Sequence, residues 1–415
     1  MSDTGAFRGW RIVTVAFASQ AVAIGFSVGT FGIFVEPLTA EFDSTRAQVS
    51  LGQSILMATM TLAGLIVGPQ LDRRSIRSIM VAGALLQAVC LALASQATSL
   101  WELAILFGVG VGLAVAMVGP LASTTVVSKW FDEKRGRAQG FTNMGGPAGG
   151  AVASVATGLL IANLGWRPTL LVFAAVTLLV IPLIWTVIRN RPEDIGQWPD
   201  GAEAPPAGSE GVGAGVESRA WTASALLRAR SFWLLALAVG LLFGIATGWV
   251  VHIVPLCVDL GLGVDGGGAI LGVGALLGIA GTLAFGAMAD RYDQRWLLAA
   301  ILAVHIVGFL ILWAAAGPWV LAFVVCVIGF AGGGMMPVYA TLIGRMFGPA
   351  SFGQVMGLVG FVMLPFAFSA PPVAGWLRDR SDNYEAAFLM FSSGLILSLL
   401  LLGALRLPDE EASKS

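Results

Sequence analysis

A chain of 415 residues with 57% hydrophobic and only 11% charged side chains cannot cover its surface with charge in water, because soluble domains carry about 25%. Its formal net charge of −1, from 23 basic and 24 acidic residues, offers no electrostatic footprint for nucleic acid. The three cysteines, Cys90, Cys257 and Cys326, lie singly in apolar runs, which argues against a disulfide framework or a metal centre, and no cofactor is implied.

The pattern predicts an all-α integral membrane protein. A helix needs about 20 apolar residues to cross the hydrocarbon core, and only helices or closed barrels can satisfy their backbone there. Twelve runs meet that length, at about 10–36, 47–71, 76–97, 101–128, 136–163, 167–189, 230–258, 266–289, 295–316, 318–345, 352–377 and 384–406. Each is continuously apolar, unlike the alternating strands of a membrane barrel. The first lacks a small-residue cleavage motif, so it reads as a retained helix. An even number of spans puts both termini on one side. With that side cytoplasmic, only Arg46, Arg167, Arg378 and Arg380 of the 23 basic residues stay outside, as the positive-inside rule requires of a cytoplasmic-membrane protein. Trp10, Trp101, Trp130, Trp166, Trp296, Trp319 and Trp376 fall near span ends and read as interfacial anchors.

One polar interruption, Asn190 to about Ala229, contains Pro192, Pro199, Pro205 and Pro206 in a Gly/Ala/Glu-rich setting that cannot bury a core. It divides the chain into an N-terminal six-helix bundle (1–189), a cytoplasmic linker (190–229) and a C-terminal six-helix bundle (230–415). The halves repeat. Gly68, Asp72, Arg73 and Arg77 after the second span match Gly286, Asp290, Arg291 and Arg295 after the eighth, 218 residues on. Pro120 and Thr124 in the fourth span match Pro337 and Thr341 in the tenth, 217 residues on. Two anchors at one offset imply parallel repeats about an axis along the membrane normal.

The doubled Gly-x-x-x-Asp-Arg-x-x-x-Arg loop resembles the signature between spans two and three of the major facilitator superfamily, although Ser75 and Asp293 stand where that family usually has glycine. Further matches narrow the resemblance to the bacterial monocarboxylate porter branch, which includes oxalate/formate exchangers. They are Gly9-Trp10-Arg11, Lys129-Trp130-Phe131 with Lys134-Arg135-Gly136, Gly165-Trp166-Arg167, Arg191-Pro192-Glu193-Asp194 and His252-Ile-Val-Pro255. The resemblance implies alternating access between two six-helix bundles, with Asp72, Arg73, Arg77, Asp290, Arg291 and Arg295 as a cytoplasmic gate, and a protein that works as a monomer. It also implies where substrate is held, and there this chain departs. Relatives hold the carboxylate with an arginine eight residues before the span-eight motif aspartate, here Thr282. The proton-coupling aspartate of animal relatives falls at Gly278, and the exchangers' span-eleven lysine has no counterpart between Phe361 and Pro372.

Intramembrane ionisable groups are costly and usually functional. Here the deep candidates are His252 and His305. Trp249, His252 and Pro255 share one face of the seventh span, so His252 is a candidate for both substrate binding and proton coupling. His305 reads as a packing group. Neutral substrate-binding candidates are Gln20 and Thr30 (span one), Gln53 (span two), Thr124 (span four), Asn143 (span five), Trp249 (span seven), Thr282 (span eight) and Tyr339 (span ten). No phosphate-binding Gly-x-x-x-x-Gly-Lys-Ser/Thr occurs, so transport runs on gradients rather than ATP, and no His/Asp/Glu or Ser/His cluster supports an enzyme. The expectation is a secondary active transporter of a small, monocarboxylate-like organic anion, proton-linked through His252. The competing readings are efflux of drugs or hydrophobic metabolites, and a non-transporting membrane sensor.

Overall fold

The computed structural model describes residues 7–44, 46–202 and 221–405. Among them, twelve helices are long and apolar enough to cross a membrane, and no strand occurs. They are α1 (Gly9–Val35), α2 (Leu51–Arg73), α3 (Ile76–Ala94), α4 (Leu100–Trp130), α5 (Arg135–Leu164) and α6 (Trp166–Val187), then α7 (Arg230–Asp259), α8 (Ala269–Ala289), α9 (Gln294–Ala314), α10 (Pro318–Phe347), α11 (Pro349–Arg378) and α12 (Glu385–Gly403).

The helix starts follow local chemistry. Ser75 accepts from the Ser78 N–H ahead of α3, Ser99 from the Glu102 N–H at the start of α4, and Asp293 from the Arg295 N–H at the start of α9. Each side chain satisfies an amide that the first helical turn leaves without an intrahelical acceptor. Pro318 opens α10, where its missing N–H costs nothing. Two spans carry a π turn. Helix α1 widens to a π turn at Gly25–Gly29, and α4 does so at Ala104–Val111 before breaking at Gly119, ahead of Pro120.

The described residues form two units. The first comprises 7–202 together with 347–357, and the second 221–346 together with 358–405, so α11 begins in the first and continues into the second. In the first unit α3 packs along α6 and α1 along α5, with Phe26 stacked on Phe173 at 4.1 Å between ring centres. In the second, α8 runs along α10 and α9 along α12, with Phe309 and Phe391 filling the α9–α12 seam at 5.2 Å.

One sequence expectation changes. Trp130 and Trp166 are buried, whereas Trp10, Trp101, Trp296, Trp319 and Trp376 are exposed as anchors should be. The reason at Trp130 is a hydrogen-bond partner inside the protein: its indole N–H donates to the Arg189 carbonyl at 3.0 Å. The start of the linker is hydrogen-bonded to the first unit. Asp200 accepts the backbone N–H groups of Asp132, Glu133 and Lys134 at 2.8, 2.7 and 3.1 Å, just ahead of α5, and Gln197 accepts the Arg8 N–H. The linker's centre, 203–220, lies outside the described residues.

Candidate functional site

The Asp72 loop is the most completely built part of the first unit. At the end of α2, its carboxylate accepts the backbone N–H of Gly353 at 3.1 Å and of Gln354 at 2.8 Å, in the first turns of α11. These amides lie at the positive end of the helix dipole, so a carboxylate there makes charge-assisted bonds. Lys129 places Nζ 3.8 Å from the same carboxylate and donates to the Leu71 carbonyl at 2.9 Å, both ionic side chains being buried. Contact this close requires glycine. A Cβ on Gly353 would lie 2.6 Å from the Gly68 carbonyl oxygen, and Gly64 and Gly357 meet in the same manner.

The other gate candidates are placed differently. Arg73 is exposed, and Arg77 lies over the Trp185 ring at 4.5 Å. Arg291 is exposed and Asp290 half-buried. Arg295 is held by Asp293 at 2.9 Å and donates to the Leu405 carbonyl at 3.2 Å. Burial raises the Asp293 carboxyl, but the side-chain and backbone hydrogen bonds from Arg295 outweigh it and hold it below the ordinary carboxylate range.

Deeper in the first unit lies a set of buried amides and hydroxyls. Asn143 in α5 is 6% exposed, and among the described residues neither Oδ1 nor Nδ2 has a hydrogen-bond partner. Gln20 Oε1 and Thr30 Oγ1 in α1 are likewise buried and unpartnered. The Gln20 side chain lies against Gly145 and Gly146, just beyond Asn143 on α5. Each such atom costs about 1–3 kcal/mol when left unpaired, so the set is a candidate place for a polar occupant. Thr124 is instead occupied, donating to the Pro120 carbonyl of its own helix, and Gln53 is half-buried. Sequence reasoning passed over Gln139, whose Nε2 donates to the Thr124 carbonyl, and Gln87, whose Nε2 donates to the Ala23 carbonyl. A glutamine inside an apolar run was the available signal for both.

The second-unit candidates are mostly bonded to their neighbours. His252 Nε2 lies 2.9 Å from the Pro371 carbonyl oxygen and Nδ1 lies 3.0 Å from the Tyr384 hydroxyl. A carbonyl only accepts, so Nε2 carries the hydrogen and Nδ1 of the neutral ring accepts from Tyr384. Trp249 is buried edge-on to Phe309 at 5.3 Å, and Tyr339 edge-on to Phe243 at 5.6 Å. Thr282 donates to both the Gly278 and Gly333 carbonyls at 2.9 Å, tying α8 to α10. A Cβ on Gly278 would stand 3.2 Å from the Gly329 carbonyl oxygen, so the α8–α10 seam has little room for an acid at that position. Trp249 and His252 thus share a helix face but not a cavity wall: Trp249 lines a cavity of about 300 Å³ with His305, while His252 binds towards α11 and Tyr384.

Twelve apolar helices, polar groups inset among them and a carboxylate-capped helix start define a multi-pass membrane transport protein. The chain belongs to the Major Facilitator Superfamily, whose family model matches residues 17–287 and 258–415. It is similar to human monocarboxylate transporter 11, at 26% identity over 94% of this chain and 81% of the relative. Bovine monocarboxylate transporter 13 is 28% identical over 94% of this chain and 89% of its own. Among solved structures, the proton:xylose symporter XylE superposes with a TM-score of 0.76 at 14% identity, covering 96% of each chain. The E. coli fucose:proton symporter FucP does so with 0.71 at 16% identity, over 95% of this chain and 98% of its own. These are transporters, and this chain is a membrane-embedded transporter of a small molecule.

Proposed function

We propose that this transporter moves a small monocarboxylic acid across the cytoplasmic membrane by alternating access, with both termini cytoplasmic and a single chain as the working unit. Residues 1–189 and 230–415 act as the two halves and 190–229 as the cytoplasmic linker. The observation that carries the substrate class is the unpartnered carboxamide of Asn143. A carboxamide offers one donor edge and one acceptor edge, which is the complement of an undissociated carboxyl group: Nδ2–H to the acid's carbonyl oxygen, and the acid's O–H to Oδ1. Gln20 and Thr30 supply further unpartnered oxygen atoms in the same unit. The likeness to monocarboxylate transporters 11 and 13 supports the same class.

An acid read by a neutral amide needs no buried arginine, in keeping with Thr282 at the family's cation position. It also makes proton movement part of transport, because the substrate carries the proton. His252 is the group proposed to exchange that proton. A proton arriving at Nδ1 converts it from acceptor to donor and reverses its bond with Tyr384. The Asp72 cap on α11 is the proposed latch, with the Asp290 loop as its repeat.

Uptake of labelled short-chain and aromatic monocarboxylates into proteoliposomes, with and without an inward proton gradient, tests the reading. Gradient-stimulated uptake that is lost in Asn143→Leu and slowed in His252→Ala, the remaining uptake still following the gradient because the acid itself carries the proton, is expected. Transport of lipophilic cations instead would establish drug efflux. A folded protein that binds an acid without moving it would establish a sensor.

A further inference from the structure

The second unit forms a half-open cavity of about 300 Å³ between α7, α8, α9 and α10. Its walls are apolar: Trp249, Ile253, Ala275, Ile328 and Met335 surround it, and glycines of α8 and α10 let the helix backbones form part of the lining. An apolar cavity of half that size stays dry and takes up benzene, so this one suits an apolar molecule of up to roughly twice that size rather than water. Besides the indole N–H of Trp249, one polar acceptor breaks the lining. His305 of α9 lies in the wall, buried, with Nδ1 2.8 Å from the Ile301 carbonyl oxygen of its own helix. That carbonyl only accepts, so Nδ1 carries the hydrogen and Nε2 is a bare acceptor. Nε2 has no hydrogen bond among the described residues, and glycine at 332 leaves it uncovered: a Cβ there would touch both Nε2, at 3.8 Å, and Met335 Sδ, at 3.9 Å.

We propose that this cavity binds a small apolar molecule bearing one hydroxyl, whose O–H donates to Nε2 of His305. The fit is specific in sign. At His305 the wall offers an acceptor and no charge, so a phenol, an alcohol or an undissociated acid can donate there, whereas an anion has only lone pairs to place against Nε2. Every lining residue belongs to the second unit, and none is among the amides and hydroxyls of the first unit on which the proposed substrate class rests. The site therefore stands apart from that reading.

The chain's two histidines make the test direct. The full-length protein, labelled with ¹⁵N in its imidazoles and held in lipid nanodiscs, is titrated with 4-propylphenol. The Nε2 resonance of His305 is expected to move upfield and saturate, while the His252 resonances stay in place. Propylbenzene, of the same shape without the donor, should compete about three- to tenfold more weakly, the value of one neutral hydrogen bond. Ala275→Phe, on the open side of the cavity, should abolish the shift, and His305→Phe should equalise the two ligands while leaving both bound. An unmoved His305 signal at saturating phenol overturns the proposal. So does a shift that follows the acyl composition of the nanodisc and that phenol cannot displace, since a lipid chain would then be the occupant.

Discussion

At Asn143 the unbonded amide is a liability unless an occupant completes it. Two buried polar atoms without partners destabilise the resting protein, by about 1–3 kcal/mol each. Asn143→Leu is therefore expected to raise the melting temperature while lowering acid uptake at least tenfold, with scanning fluorimetry and flux measured on one preparation. A structural asparagine would give the reverse sign on stability. Asp293 is a second residue-scale case. Its carboxyl is held below the ordinary value near 3.9, so its contribution is complete above that pH and is lost as the pH falls through the lower folded value. The pair is partly exposed, so the contribution is below about 1 kcal/mol. The melting-temperature difference between the parent and Asp293→Asn should be constant from about pH 8 to 5 and close only below about pH 4. A difference that closes near neutrality would assign the stabilisation to another group.

Elements meet where backbones touch. The contact of α2 with the start of α11 rests on Gly64, Gly68, Gly353 and Gly357 and on the Asp72 cap, so it can make and break without unpacking side chains. Gly68→Val inserts an isopropyl group whose Cβ alone overlaps the Gly353 carbonyl, and it should cost about 1–3 kcal/mol at this contact, read as faster tryptic cleavage at Arg73 and Arg74. Asp72→Asn leaves Lys129 buried without its anion and is expected to slow transport about tenfold or more. Adding Lys129→Met should restore stability but not rate, because the missing cap on α11 stays missing. Recovery of both would reduce Asp72 to an ion-pair partner. The aspartate itself was legible in the sequence through its repeat at Asp290. Its acceptor role towards Gly353 and Gln354 was not, since those residues lie more than 280 positions away and act through backbone amides that no side-chain pattern reports. Trp130 misled for a related reason: an indole at a span end marks an interface only if its N–H finds no internal acceptor, and here Arg189 supplies one.

At the scale of the whole molecule, hydrophobic run length carried the architecture, because a bilayer leaves the backbone so few solutions. The candidate site was legible only as residue types. Polarity in a span flags Asn143, Thr124 and Thr282 alike, and only the coordinates separate the unpartnered amide from hydroxyls already spent on carbonyls. The central claim is that the chain carries a monocarboxylic acid through a cycle of alternating exposure rather than merely binding it. Counterflow tests this most directly: proteoliposomes preloaded with excess unlabelled acid are diluted into a trace of the same acid carrying label, with no pH gradient. The account predicts a transient accumulation of label above equilibrium, absent from Asn143→Leu vesicles and slowed in Asp72→Asn vesicles. Equilibration without overshoot for every monocarboxylate tried, by protein shown to be folded, would contradict it.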